Sequence, residues 1–207
     1  TRTVQRRQRE RRGLFTFALT GYTNAGKSTL LNALTGSSVL SEDKLFATLD
    51  TTTRSLTLPS SQRVLLSDTV GFIQNLPHAL VEAFSSTLEE ALNADAIIIV
   101  ADASHPNALK CFETTISTLR ELDATDKVKL VVINKIDDIY DDISFSLLKS
   151  QGYPTVEASM KTGEGLDRIL SAMSEITDSV FTDLKIRVPY NSPLLGEFSR
   201  SGELKNA

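Results

Sequence analysis

One short glycine-containing stretch constrains this chain more than any other part of its sequence. It follows the pattern G-x-x-x-x-G-K-S and comprises Gly21, Tyr22, Thr23, Asn24, Ala25, Gly26, Lys27 and Ser28. The apolar residues 14–19 before it have the composition of a strand, and residues 29–34 after it have that of a helix. In this context the pattern binds phosphate, because the loop N–H groups and the helix N-terminus attract anions. Lys27 can reach the β- and γ-phosphates and the Ser28 hydroxyl can bind Mg²⁺, so we predict a nucleoside triphosphate site.

The length and composition are those of one globular domain with extensions. The 207 residues are 41% hydrophobic, and no apolar run is long enough to span a bilayer. Cys111 is the single cysteine, which excludes an intrachain disulfide and a cysteine-rich metal site; we expect it in a buried helix position and a reducing, cytoplasmic compartment. No signal peptide is expected, and because the chain begins at Thr1 we interpret it as part of a longer protein.

Charge is unevenly distributed along the chain. Residues 1–12 contain six arginines and one glutamate, a net charge of +5, whereas the whole chain carries −4 and the remainder therefore −9. Such a basic segment is typical of nucleic-acid contact. The same composition also fits the solvated end of a helix that continues from an upstream domain, and the sequence leaves both interpretations open.

Two stretches after the phosphate loop can serve Mg²⁺ and the γ-phosphate. Threonines recur in residues 45–54, where one of them can bind Mg²⁺ or where they simply lead into a strand at residues 55–58. A second apolar strand, residues 63–67, ends in D-x-x-G, which is formed by Asp68, Thr69, Val70 and Gly71. Asp68 is suited to hold Mg²⁺ through water, and the Gly71 N–H is suited to approach the γ-phosphate.

A tetrapeptide after a buried strand predicts which base is bound. Residues 95–102 are a continuous apolar run, and residues 128–133 are a second run that is apolar apart from Lys129; both are expected to be buried strands. The second run leads into N-K-x-D, which is formed by Asn134, Lys135, Ile136 and Asp137. The carboxylate of Asp137 can accept hydrogen bonds from the N1–H and 2-amino groups of guanine, whereas adenine offers no donor there. The predicted ligands are therefore GTP and GDP. This selectivity for guanine argues against an ATPase or an adenine-specific kinase.

Further contacts to the base are expected around the same loop. Asn134 can tie it to the phosphate loop, and the aliphatic stem of Lys135 can cover the base plane. A turn after a strand near residues 155–157 is placed to touch the guanine carbonyl through backbone N–H groups. This turn contains Ser159, Met160 and Lys161.

Strands that alternate with helices predict the fold. Helices are expected at residues 107–122, 142–149 and 166–179, between and after the apolar strands. This order is typical of a parallel sheet that binds ligands at the carboxyl ends of its strands. We predict an α/β fold with a mostly parallel six-stranded sheet and helices on both faces.

Residues 14–180 resemble the translation-factor-related GTPases and, more specifically, the HflX family. The resemblance implies a P-loop NTPase G domain, hydrolysis of GTP to GDP and phosphate, and Thr48 as the switch I ligand of Mg²⁺ beside Ser28 and Asp68. The nucleotide-binding segment around Thr48 comprises Phe46, Ala47, Thr48, Leu49 and Asp50. Besides the motifs above, the resemblance is carried by residues 45–54, 68–73, 76–84 and 102–106.

The same resemblance implies a domain division and a partner. Residues 1–13 resemble the basic end of a helix from a truncated N-terminal domain, residues 14–182 a G domain, and residues 183–207 the start of a truncated C-terminal segment. The resemblance implies binding to the ribosome, chiefly its large subunit, through ribosomal RNA and through domains expected outside this chain. The implied partner is therefore the ribosome, and a monomer without a membrane span is expected.

One position departs from the pattern of fast small GTPases. Many of them carry a glutamine after D-x-x-G that orients the attacking water, whereas this chain has Phe72. We expect slow hydrolysis unless a partner or a bound cation supplies the missing group. Similar GTPases with an asparagine in the position of Asn24 can hold K⁺ next to the phosphates. The geometry of the loop alone is an equally open explanation for an asparagine at position 24. The residues predicted to take part in catalysis are Lys27, Asn24 and Gly71. The alternative functions are a GTP-gated binding switch with negligible hydrolysis, and a GTPase of tRNA modification or ribosome assembly.

Overall fold

The computed structural model describes residues 14–36, 52–69 and 92–180. Within these ranges six strands form one sheet in the spatial order β2-β3-β1-β4-β5-β6. Neighbouring strands are parallel except for the antiparallel pair β2 and β3, so the predicted α/β fold with a mostly parallel six-stranded sheet is confirmed. The strands are β1 (Phe15–Thr20), β2 (Thr52–Thr57), β3 (Arg63–Asp68), β4 (Ala96–Asp102), β5 (Val128–Asn134) and β6 (Thr155–Glu157).

Helices in the described ranges pack on both faces of this sheet. They are α1 (Lys27–Thr35), α2 (Ala108–Glu121), α3 (Asp142–Lys149) and α4 (Leu166–Val180), with short 3₁₀ turns at Thr125–Lys127 and Ile136–Asp138. Side chains of β1 alternate between the two faces: Phe17 and Leu19 join an apolar cluster with α1 and α4, whereas Ala18 joins another with α2 and α3. None of these helices combines the length and apolar character needed to cross a membrane.

The central strands are buried as their apolar sequences predict. All six residues of β1 are buried, and in β4 the burial extends from Ala96 to Ala101. Each fully buried aliphatic side chain in such a core stabilises the fold by about 1.5–3 kcal/mol. Cys111 is buried in α2, which confirms the buried helix position expected for it.

Strand β2 differs from its prediction because its partner strand determines where it begins. It starts at Thr52 instead of residue 55, since it pairs with β3 from Thr52 opposite Asp68 onward. The hydroxyl groups of Thr53 and Ser67 lie 2.8 Å apart across this pair. For Thr52 and Thr53 the strand interpretation of the threonine cluster is therefore the correct one. Leu58 lies beyond the strand, where its N–H donates to the carbonyl of Gln62 in the hairpin turn.

Candidate nucleotide-binding site

The phosphate loop joins β1 to α1, and its glycines are required by close packing. A Cβ atom on Gly21 would lie 2.2 Å from the carbonyl oxygen of Val100 in β4, and one on Gly26 would lie 2.2 Å from Asn134 Nδ2. Asn24 has a φ of 61°, a left-handed conformation that asparagine adopts more readily than most residues. The loop-geometry interpretation is thus sufficient to explain an asparagine at this position.

Lys27 places a positive charge inside the phosphate loop. Its side chain is buried, and its Nζ donates to the carbonyls of Tyr22 at 3.0 Å and Gly21 at 3.3 Å. Burial lowers the pKa of Lys27 to about 8, although the negative charge of Asp68 acts in the opposite direction. The protonated ammonium group remains the main form at neutral pH. The loop carbonyls hold it inside the loop that is predicted to bind phosphate.

Two oxygen-bearing side chains meet beside this lysine. The Ser28 hydroxyl, at the start of α1, donates to Asp68 Oδ2 at 2.5 Å, and Asp68 is the buried last residue of β3. The neighbouring Thr69 hydroxyl donates to the carbonyl of Leu19 at 2.6 Å, which fastens the end of β3 to β1. A hydroxyl and a carboxylate are ligands that suit Mg²⁺. Other predicted residues of this half of the site, Phe46, Ala47, Thr48, Leu49, Asp50, Val70 and Gly71, lie outside the described residues.

Asn134 joins three segments of the site. It is the last residue of β5, and its Nδ2 donates to the carbonyl of Ala25 in the phosphate loop at 2.9 Å. Its Oδ1 accepts the N–H of Met160 at 3.1 Å. The predicted tie between this loop and the phosphate loop is therefore present, and it extends to the turn that contains Met160.

Asp137 is held as an ionised hydrogen-bond acceptor. Its Oδ1 accepts the hydroxyl of Ser159 at 2.6 Å, and its Oδ2 lies 3.2 Å from Lys161 Nζ. The hydrogen bond from Ser159, followed by interactions with Lys161, holds the pKa of Asp137 below its usual range. The Asp137 side chain is 19% exposed, so it can be reached by a ligand at the surface.

The backbone N–H of Ser159, which was expected to contact the guanine carbonyl, is used within the protein. Its N–H donates to the carbonyl of Glu164 at 2.9 Å, and the neighbouring Met160 N–H is used by Asn134. The bridge between Ser159 and Glu164 closes the turn, which is why this N–H points back into the protein. Ser159 thus serves the site through its hydroxyl on Asp137, a contact that requires the spatial adjacency of the two loops.

Asp102 is a residue of this region to which sequence reasoning gave no role. Its Oδ2 accepts a hydrogen bond of 2.7 Å from the Nζ of Lys135. The signal for this contact is topological, because β4 and β5 are adjacent parallel strands and Asp102 is paired with Asn134. Strand ends that share an edge of a sheet bring together residues that follow each of them.

Comparisons with known proteins agree with this arrangement. The profile of a family described as 50S ribosome-binding GTPase matches residues 16–135. The chain belongs to this family. It is 46% identical over 208 residues to a GTPase HflX of Akkermansia muciniphila and 45% identical over 206 residues to a GTPase HflX of Chlamydia pneumoniae. These relatives confirm the prediction of the HflX family.

The coverage of these matches is unequal. The two alignments cover 98% and 100% of this chain but only 48% and 43% of the relatives, so the chain spans less than half of their lengths. Among solved structures, the chain is similar to a GTP-binding protein from the hyperthermophilic archaeon Sulfolobus solfataricus in complex with GDP, with a TM-score of 0.67 and 26% identity. That similarity covers 81% of this chain and 53% of the other, and it supports the G-domain fold.

Proposed function

We propose that this chain is the nucleotide-binding part of a GTPase that hydrolyses GTP to GDP and phosphate. The observation that carries the proposal is the hydrogen bond of 2.9 Å from Asn134 Nδ2 to the carbonyl of Ala25, across 109 positions of sequence. It joins the loop that would read a base to the loop that would bind phosphates. A phosphate loop alone fits many nucleotides, whereas the joined loops fit one nucleotide that is read at both ends.

Guanine selection is assigned to Asp137. An ionised carboxylate, fixed by Ser159 on one oxygen, can accept the N1–H and the 2-amino group of guanine. Adenine presents no donor at these positions, so its binding would leave a partly desolvated carboxylate without hydrogen bonds from the base, a cost of about 1–3 kcal/mol. On binding, the exposed ammonium group of Lys161 would move from its place beside Asp137 Oδ2.

The phosphates and their metal are assigned to the other half of the site. Lys27 would contact the β- and γ-phosphates, and Ser28, Asp68 and Thr48 would hold Mg²⁺, with Thr48 assigned from the resemblance to HflX proteins. A bound Mg²⁺ neutralises charge that develops on the phosphate oxygens. The chain itself supplies the fixed loop, the buried ammonium group and the paired hydroxyl and carboxylate that orient these groups.

Hydrolysis by this chain is proposed to be slow without a partner. Phe72 stands where many GTPases have the glutamine that orients the attacking water. We propose that the ribosome, chiefly its large subunit, provides the stimulation, and that K⁺ beside Asn24 can contribute positive charge. The proposed G domain comprises residues 14–182, between the flanking segments 1–13 and 183–207.

A second candidate function is favoured by the same phenylalanine. If no partner restores hydrolysis, the chain is a binding switch that GTP orders and GDP releases. The two candidates share the nucleotide site and differ only in the rate of phosphate release.

Phosphate release from GTP distinguishes these functions. The 207-residue chain is assayed in KCl and in NaCl, with and without purified large ribosomal subunits. We expect slow release alone and at least about tenfold stimulation by the subunits, well within the range that a trans-acting partner can provide. Lys27→Ala, which removes the buried ammonium group, is the matched control and should release no phosphate above background.

Each result bears on a different part of the proposal. GDP binding without stimulated release in either salt would favour the binding switch. Stimulation by K⁺ but not by the subunits would support the cation and contradict the ribosome as activator. Equal binding of ADP and GDP would contradict the assignment of Asp137.

A further inference from the structure

Three hydrogen bonds join the turn after β4 to residues 134–140, the segment that begins with N-K-x-D. Ala103 N–H donates to the carbonyl of Asn134 at 2.9 Å, and Tyr140 N–H donates to the carbonyl of Ala103 at 3.1 Å. The third bond joins Lys135 Nζ to Asp102 Oδ2 at 2.7 Å. The first two bonds position the backbone, whereas the third fixes the side chain of Lys135, whose stem the sequence predicts to cover the base plane.

The carboxylate of Asp102 is itself held in one orientation. Its Oδ1 accepts both the backbone N–H of Ser104 at 2.9 Å and the hydroxyl of Ser104 at 2.7 Å. Its Oδ2 accepts Lys135, and the side chain is only 14% exposed. Because both oxygens are engaged and solvent is largely excluded, Asp102 presents a fixed anchor for the ammonium group.

This anchor limits where the stem of Lys135 can lie. Lys135 has a φ of 63° at the end of β5, and its ammonium group is held at the end of β4. The four-carbon stem must therefore run across the edge of the sheet between two neighbouring strands. A free lysine side chain would lose rotamer entropy on packing against a ligand, and a side chain that is already fixed loses less.

We propose that Asp102, oriented by Ser104, is a positioning residue that holds the stem of Lys135 in the orientation that covers the guanine base. This inference rests on the proposed function, since it assumes that the base lies against Lys135. It assigns a role in base binding to a residue outside the N-K-x-D tetrapeptide. Asp102 acts only through Lys135 and does not touch the nucleotide.

A double-mutant cycle tests whether Asp102 acts through Lys135. Asp102→Asn, Lys135→Met and the double variant of the 207-residue chain are compared with the wild type by GDP titration. We expect Asp102→Asn to weaken GDP binding about fivefold in the wild-type background and to have no further effect in the Lys135→Met background. An equal loss in both backgrounds would overturn the proposal, because Asp102 would then act by another route.

A second probe separates base positioning from a general loss of structure. Inorganic pyrophosphate, measured by competition against GDP, occupies the phosphate loop without a base, and Asp102→Asn should leave its affinity unchanged. A parallel loss for GDP and pyrophosphate would mean that the substitution disturbs the whole site, and would also overturn the proposal. Thermal unfolding without nucleotide monitors the folding of each variant.

Ser104→Ala keeps the cycle informative if Asp102→Asn does not fold. This variant removes one of the two hydrogen bonds to Asp102 Oδ1 and should weaken GDP binding about twofold, again only when Lys135 is present. No loss in any variant, with normal GDP binding by the wild type, would overturn the inference while leaving the proposed function intact. Failure of the wild type to bind GDP would contradict the proposed function itself.

Discussion

Lys27 and Asp137 have shifted pKa values for different physical reasons. Lys27 loses contact with water, and this desolvation lowers its pKa to about 8. Asp137 gains a hydrogen bond from Ser159 and a nearby ammonium group, and both hold its pKa below the usual range. Each group is nevertheless charged at neutral pH, so the proposed site would present a cation to phosphates and an anion to a base.

The pKa of Lys27 predicts how stability depends on pH. Between about pH 8 and 10.5 the unfolded chain keeps a proton on Lys27 that the folded chain has released. The cost of burying this charge is therefore fully present below pH 8 and disappears as the pH rises, which increases the free energy of unfolding by up to about 1.4 kcal/mol per pH unit. Denaturant unfolding without added nucleotide should show this rise for the wild type relative to Lys27→Met. A difference that stays constant from pH 7 to 10 would contradict the shifted pKa.

Replacement of Asp137 predicts a change of base preference. Asp137→Asn exchanges an acceptor for a donor, so GDP binding should weaken on the order of 100-fold, while binding of xanthosine diphosphate, which carries an oxygen in place of the 2-amino group, should improve. The two nucleotides are titrated against the same preparation. Asp138→Asn is the matched control, because Asp138 is the adjacent exposed carboxylate and should leave the preference for guanine unchanged. An unaltered preference in Asp137→Asn would exclude this residue as the base reader.

At the scale of elements, the buried strands were predictable and their lateral contacts were not. The apolar runs of β1, β4 and β5 are recognisable because strands buried on both faces need no polar alternation. Where β2 begins depends on its pairing with β3, and the strand preference of threonine depends too much on context to fix that residue. The contact between Asp102 and Lys135 likewise depends on β4 lying beside β5, which a linear sequence does not state.

The contact between the phosphate loop and Asn134 predicts that two glycine substitutions lower the free energy of unfolding by different amounts. Gly36→Ala places a side chain at a φ of 63° where no packed atom of the described residues lies within 4 Å, so it should cost about 1 kcal/mol from backbone conformation alone. Gly26→Ala also forces the amide of Asn134 away, because the new Cβ would lie 2.2 Å from Nδ2. We expect it to cost at least about 3 kcal/mol in denaturant unfolding and to weaken GDP binding about tenfold or more. Equal effects of both variants would show that Asn134 is not restrained by this contact.

At the scale of the whole molecule, the described part of the site lies between Gly21 and Lys161. Its motifs were predictable because each consists of adjacent residues at a strand end, and the fold brings those ends together. The hydrogen bond of Ser159 to Asp137 and that of Lys135 to Asp102 were not predicted, since each joins two segments whose adjacency only the folded sheet shows. The relatives are more than twice as long as the matched region, so the chain corresponds to less than half of each of them.

A shortened chain tests the proposed domain division. Residues 14–182 contain every predicted nucleotide contact, and we expect this fragment to bind GDP within about twofold of the 207-residue chain. Any stimulation of phosphate release by large ribosomal subunits should decrease if residues 1–13 contribute basic contacts to ribosomal RNA. A loss of GDP affinity greater than tenfold would place residues outside 14–182 in the nucleotide-binding unit.

The amide of Asn134 has a consequence for nucleotide exchange. It donates to the phosphate loop and accepts from Met160, so the turn at residues 159–161 is connected to the loop around Lys27 through one side chain. Displacement of that turn would therefore loosen both ends of the nucleotide together, and Asn134→Ala should accelerate GDP release in a stopped-flow measurement. A partner that displaced this turn would therefore act on the phosphate end of the proposed pocket as well as on its base end.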